Sequence, residues 1–256
     1  MLGAIIGDIA GSVYEFNPVQ TDKFPLFIAQ SSYTDDTILT IAVAYSILTG
    51  QDYTTSLKYF GRKYDSSYGS QFRAWLHSES NAPYHSWGNG SAMRVSPVGF
   101  AFNSVAEVLA EAQKSAEVTH NHPEGVKGAQ AIALAIYLAR VGKSKEHIKT
   151  EISKQFGYNL DRTLAEIRPT YSFDESCQGS VPESILAFTE SEDFISAVNH
   201  AILLRGDADT MACIAGGIAQ AFYKTIPERM ITAAKSRLPE EFLKIINDFN
   251  NKFNVM

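Results

Sequence analysis

Cysteine is scarce: among 256 residues only Cys177 and Cys213 are cysteines, with no paired spacing. A disulfide framework and a thiolate zinc site are thereby excluded. Six histidines are present, none of them in an H-E-x-x-H pattern. Excess basic charge is missing too. The net charge is −6, so nothing draws the whole molecule toward nucleic acid or an acidic membrane. An anionic ligand would have to be held locally, by backbone amides and helix N-termini. No apolar run approaches the ~20 uncharged residues of a membrane span. The first residues lack a basic segment, and Asp8 interrupts their apolar run, so no secretory signal is expected. The expected location is the cytoplasm. The alternating pattern of strands is nearly absent, as are linkers, repeats and low-complexity segments.

What remains is helix after helix. An apolar share of 45% suffices for one large core. The pattern predicts an all-α fold, a single compact domain over residues 1–256 with roughly a dozen helices. Gly3, Gly7 and Gly11 recur every four residues and would form one smooth helical stripe for close packing. Asp8 lies within that apolar helix and needs a partner. Ser104-x-x-Glu107 is a capping-box pattern opening an amphipathic helix to Val118. Pro123 suits the first turn of a long apolar helix ending near Val141. Residues 170–181 read as irregular, with Pro182 opening the next helix; Pro227 and Pro239 open the last two.

Two stretches carry the chemistry. Arg205-Gly206-Asp207-Ala208-Asp209-Thr210 precedes an apolar run from Met211 to Tyr223. Tyr33-Thr34-Asp35-Asp36-Thr37 precedes another, from Ile38 to Leu48, closed by Gly50 as a C-cap. Asp and Thr are N-cap residue types, but a cap needs one oxygen and each turn offers several. The plain alternative is a helix cap with a solvated Asp beside it. If the two helix starts meet, Asp35, Asp36, Asp207 and Asp209 share one pocket, and four such carboxylates cannot all stay ionised without cations. Oxygen-rich sites suit hard cations such as Mg²⁺ or Mn²⁺. Metal pairs in hydrolases sit ~3.5–4 Å apart.

Other segments are more ambiguous alone. Glu15 follows the first helix between Tyr14 and Phe16; it is either a solvated loop residue or a carboxylate held as a general base. Trp87-Gly88-Asn89-Gly90-Ser91-Ala92-Met93-Arg94 is either a plain glycine turn or a loop whose N–H groups approach a phosphate. In Thr119-His120-Asn121-His122-Pro123-Glu124-Gly125, His122 reads as a substrate contact or a satisfied core histidine, with metal ligation the least favoured.

Taken in order, these stretches resemble the ADP-ribosylglycohydrolase family, which includes the dinitrogenase-reductase-activating glycohydrolase and the ADP-ribosyl-acceptor hydrolases. The matching segments are G-A-I-I-G-D-I-A-G-S at the start, Y-T-D-D-T at 33–37, G-N-G-S-A-M-R at 88–94, T-H-N-H-P-E-G at 119–125, the 177–188 segment, and G-D-A-D-T at 206–210. The resemblance implies an all-α fold with a binuclear Mg²⁺ or Mn²⁺ centre at helix N-termini. Thr34, Asp35 and Asp36 would bind one ion, Asp207 and Thr210 the other, and Asp209 would bridge. Glu15 and Asp35 would be the catalytic carboxylates. Gly88, Asn89, Gly90, Ser91, Met93 and His122 would hold the ADP-ribose. The implied reaction is hydrolysis at ribose C1″, freeing ADP-ribose from a modified protein or other acceptor. Arg205 departs from the family's usual glycine; it would contact substrate phosphate, point to solvent or restrict entry.

Two rival readings stand beside this one. A prenyl-transferring all-α enzyme needs D-D-x-x-D, and Asp35-Asp36-Thr37-Ile38-Leu39 lacks the last aspartate. A non-catalytic ADP-ribose-binding member of the same lineage would have less need of the full ligand set and Glu15.

Overall fold

In the computed structural model, which describes residues 1–255, the glycine stripe sets the frame. Among the described residues fifteen helices follow one another. They are α1 (Leu2–Gly11), α2 (Asp35–Thr49), α3 (Tyr53–Lys63), α4 (Ser70–His77) and α5 (Gly90–Met93); then α6 (Ser96–Ala101), α7 (Val105–Glu117), α8 (Pro123–Arg140), α9 (Lys145–Phe156) and α10 (Leu164–Ile167); and finally α11 (Cys177–Thr189), α12 (Phe194–Leu203), α13 (Ala208–Tyr223), α14 (Glu228–Lys235) and α15 (Glu240–Phe253). The all-α expectation holds. The one departure from helix and loop among the described residues is an isolated antiparallel bridge between Gly88 and Ser176.

Helix α13 is the axis of the core. It is buried from Ala208 to Ala221 and packs on α1, α8, α11 and α12. Helix α1, buried throughout, lies antiparallel against it. A Cβ on Gly3, Gly7 or Gly11 would strike the backbone at Gly216, Ala212 or Ala208 respectively. The backbones therefore touch along the stripe, and that register puts Asp8 beside the start of α13. Helix α2 packs on α3, α6 and α15, while α7 and α8 form an antiparallel pair. The outer helices α3, α7, α14 and α15 bury one face and turn a charged face to solvent.

Helix ends follow the local chemistry in most places. Gly50 and Gly157 end α2 and α9 in the left-handed region, at φ 78° and 70°. Ser104 caps α7 by accepting from the Glu107 amide, but Glu107 returns to the Ser104 hydroxyl rather than its amide, so the capping box is half made. Pro182 is a correction. It does not open a helix; α11 starts at Cys177, capped by Ser176, and Pro182 lies inside it. Residues 177–181 are accordingly helical. Proline removes one intrahelical bond, the one that an amide at 182 would make to the Gln178 carbonyl. No helix among the described residues is long and apolar enough to cross a membrane.

Candidate functional site

The starts of α2 and α13 meet, although they lie at opposite ends of the chain. Thr210 at the start of α13 donates its hydroxyl to Asp36 Oδ2 at 3.2 Å, and the Thr34 hydroxyl lies 3.4 Å from the same oxygen. Asp8, reaching across from α1, organises the junction. Its carboxylate accepts from the Thr34 amide at 3.0 Å, the Thr34 hydroxyl at 2.7 Å and the Thr37 amide at 3.1 Å, and from the Thr37 hydroxyl. Asp8 thus satisfies N–H groups at the start of α2 that no intrahelical carbonyl can reach. This is the partner that a carboxylate in an apolar helix requires.

Above the junction opens a cleft of about 620 Å³, bordered by Glu15, Asp35, Asp36, Asp207, Asp209 and Thr210. One oxygen from each of Asp8, Asp36 and Asp209 lies within 4.8 Å of the others, as does one from each of Glu15, Asp207 and Asp209. Asp209 belongs to both triads. Asp36 Oδ1 is buried and has no hydrogen-bond partner.

Such crowding raises carboxylate pKa values. Burial, then the charges of Asp207, Asp35 and Asp8, bring Glu15 to about 7. Burial chiefly, with Asp8 and Asp207 adding, brings Asp35 to about 7. Burial and Glu15 do the same for Asp209, also to about 7. Asp8 rises only to about 6, because its hydrogen bonds to Thr34 and Thr37 offset part of its burial. Asp36 and Asp207 are pushed well above the carboxylate range by burial and by Asp209.

The rim opposite the acidic floor is the Gly88–Met93 turn. Its conformation comes from pairing with the stretch before α11: the Asn89 amide donates to Glu175 at 2.8 Å, and the Cys177 amide to Trp87 at 3.1 Å. Asn89 is buried and donates its side-chain amide to Asp207 Oδ2 at 2.7 Å, tying rim to floor. Gly88, Asn89, Gly90 and Met93 border the cleft. Ser91 and His122 do not. The Ser91 hydroxyl points away to the Gly125 carbonyl at 2.7 Å, and His122 caps α8 by accepting from the Glu124 amide at 3.1 Å. His120, two residues earlier, borders the cleft instead. Sequence reasoning passed over it because an i, i+2 pair gives no sign of which ring turns inward. Three exposed aromatics stand at the mouth: Trp87, Phe16 and Phe173, the last two stacked with centroids 6.3 Å apart. Arg205 is exposed and does not border the cleft.

A model of the family described as ADP-ribosylglycohydrolase matches residues 1–255. The chain belongs to the ADP-ribosylglycohydrolase family. Within the family's wider relationships, it is 27% identical to the ADP-ribosylhydrolase ARH3 of Mus musculus, over 89% of this chain and 84% of that protein. It is 26% identical to the ADP-ribosylarginine hydrolase Tri1 of Pseudomonas putida (strain GB-1), over 87% of this chain and 69% of that one. A solved ADP-ribosylglycohydrolase-related protein complex shares the fold, with a TM-score of 0.72 at 23% identity, covering 98% of this chain and 96% of the other.

Proposed function

We propose that this member of the ADP-ribosylglycohydrolase family is a divalent-cation-dependent hydrolase that frees ADP-ribose from a modified acceptor by cleaving the bond at ribose C1″. Family membership and the named activities of its relatives support an ADP-ribosyl hydrolase. The observation that carries the metal reading is the pair of carboxylate triads sharing Asp209, beside a buried Asp36 oxygen with no partner. A hard cation answers both: it compensates crowded carboxylates and takes an otherwise orphaned oxygen. Thr34, Asp35 and Asp36 would serve one ion, Asp207 and Thr210 the other, with Asp209 between them. Mg²⁺ or Mn²⁺ held there would supply charge compensation and a water of lowered pKa.

The remaining work belongs to side chains. Glu15 is half-buried at the cleft, and burial, the first cause of its raised pKa, is independent of the charges a cation would compensate. A raised carboxylate suits a group that accepts and returns a proton closer to neutral pH. Asp35, on the first turn of α2, is the second carboxylate facing the opening. The Gly88–Gly90 backbone is bare enough for close approach by a ligand. Ser91 contributes from behind, bracing that turn against α8 through the Gly125 carbonyl, while His122 caps α8. The test is release of free ADP-ribose from a panel of substrates with defined linkages, among them arginine, serine and ester. Turnover of at least one linkage with Mg²⁺ or Mn²⁺, lost on chelation, is expected. No turnover of any linkage with either ion would contradict the proposal.

A further inference from the structure

Behind the cleft runs a line of buried polar groups that the chemistry above does not use. Arg94 follows α5 and is fully buried. Its Nη2 donates to the Ser115 carbonyl at 2.9 Å and to Thr119 Oγ1 at 2.7 Å. Thr119, fully buried as well, has its Oγ1 2.7 Å from His120 Nδ1. Across the ring, Nε2 faces the glycine turn: a Cβ on Gly90 would sit 3.0 Å from it, and one on Gly88 3.8 Å. Fold stability does not account for Arg94. Its Nε and Nη1 are buried without a partner, which costs free energy rather than contributing it.

Counting protons decides what the line does. A guanidinium only donates, so Thr119 Oγ1 accepts from Arg94 and keeps its own hydrogen to give. A neutral imidazole has one donor and one acceptor nitrogen. If Thr119 gives its hydrogen to Nδ1, the ring hydrogen must be on Nε2. In the rival arrangement, Nδ1–H donates to Thr119, whose hydrogen must pass to a more distant group such as the Tyr84 phenol, whose ring lies 5.9 Å from the imidazole, centroid to centroid. Two arguments disfavour the rival. The short contacts of Thr119 Oγ1 are those with Arg94 Nη2 and His120 Nδ1, each at 2.7 Å, so its hydrogen has its nearest acceptor in Nδ1. The Arg94 charge also polarises the Thr119 hydroxyl toward donation. Burial and the same charge keep the imidazole neutral, its pKa well below the usual histidine range.

We propose that Arg94 and Thr119 are positioning residues that hold His120 as the neutral tautomer with hydrogen on Nε2, so that it presents a fixed N–H donor to a ligand at the Gly88–Gly90 turn. The ligand half rests on the cleft being an ADP-ribose site; the tautomer half does not.

The test is imidazole ¹⁵N NMR of the full chain at pH 8 without ligand, with His120→Gln identifying the signal among six histidines. The expected spectrum shows Nε2 protonated and Nδ1 bare, preserved in Thr119→Ser and replaced by a tautomer mixture in Thr119→Val. Hydrogen on Nδ1 in the wild type overturns the proposal, and so does a Thr119→Val spectrum equal to the wild type. Should Thr119→Val not fold, the wild-type spectrum still decides. In a second arm, Thr119→Val is expected to bind ADP-ribose roughly tenfold more weakly than Thr119→Ser, the scale of one hydrogen bond to a charged group. Equal affinities overturn the ligand half. If the wild type binds no ADP-ribose at all, the ligand half falls with the proposed function, while the spectrum still judges the tautomer.

Discussion

Glu15 and Arg205 sit close to the same chemistry and make opposite predictions. Glu15 borders the cleft with its pKa raised by burial and neighbouring carboxylates. Glu15→Gln keeps the shape and removes the proton acceptor. Turnover is expected to fall by ~10²–10⁴, the usual contribution of general acid–base catalysis. A loss under about threefold would remove Glu15 from the reaction. Arg205 is exposed, away from the cleft, and its backbone is left-handed at φ 63°. A side chain there costs roughly 1–2 kcal/mol. Arg205→Gly is therefore expected to raise the melting midpoint by about 2–4 °C for each kcal/mol relieved, with turnover intact. An equal or lower midpoint would show that Arg205 makes a compensating contact. Of the three roles that the sequence left open for Arg205, solvent exposure is the one observed.

At the scale of elements, the contact of α1 with α13 places the site. Gly7 meets the Ala212 backbone so closely that no Cβ fits, whereas a Cβ on Gly217 would find ordinary contacts at 3.5 Å. Gly7→Ala is expected to destabilise by at least ~1–3 kcal/mol through overpacking, and to weaken activity by moving Asp8 from the start of α2. Gly217→Ala should be neutral or stabilising by up to ~1 kcal/mol, since alanine is the better helix residue. Equal thermal midpoints for the two variants would contradict the close packing. The same elements show what a sequence discloses. The glycine stripe and the two Asp/Thr-rich starts were legible because each is local, a spacing of four or a cluster within five residues. Asp8 was legible only as a carboxylate in want of a partner, since its partners lie 26 and 29 residues away across a helix pair. His120 and His122 could not be ranked by spacing; the cap that His122 makes on α8 decides between them. Pro182 misled because the preference of proline for a first turn is weaker than the cap Ser176 supplies six residues earlier. Arg94 was passed over because nothing local marks an arginine as buried.

For the whole molecule, the acidic floor links stability to pH and to cations. Asp8, Glu15, Asp35 and Asp209 have folded-state pKa values of about 6 to 7, against about 4 in an unfolded chain. Between those values the folded protein binds more protons than the unfolded one, so stability falls as pH rises. That contribution is fully present below about pH 4 and is lost as pH climbs through 7. His120 and the Met1 amine, both buried with lowered pKa, work the other way, below about 6.5 and about 8 respectively. Above about pH 6.5 the four raised carboxylates are therefore opposed by a single amine and set the sign. In chelator, the melting midpoint is expected to drop from pH 6.5 to pH 8; a flat or rising profile would mean that the carboxylates titrate normally. Cations binding only the folded state should reverse the loss, because their ligands come from opposite ends of the chain. An ion at ~100 times its dissociation constant adds roughly 2.7 kcal/mol per independent site, and each kcal/mol is worth about 2–4 °C. The most direct measurement is the melting midpoint of the wild type and of Asp36→Ala at pH 8, in chelator and in saturating Mg²⁺ or Mn²⁺. A rise of at least about 5 °C in the wild type is predicted for one of the two ions, with most of it lost in Asp36→Ala. Identical wild-type midpoints in chelator and in both ions would contradict a metal centre at the junction of α2 and α13.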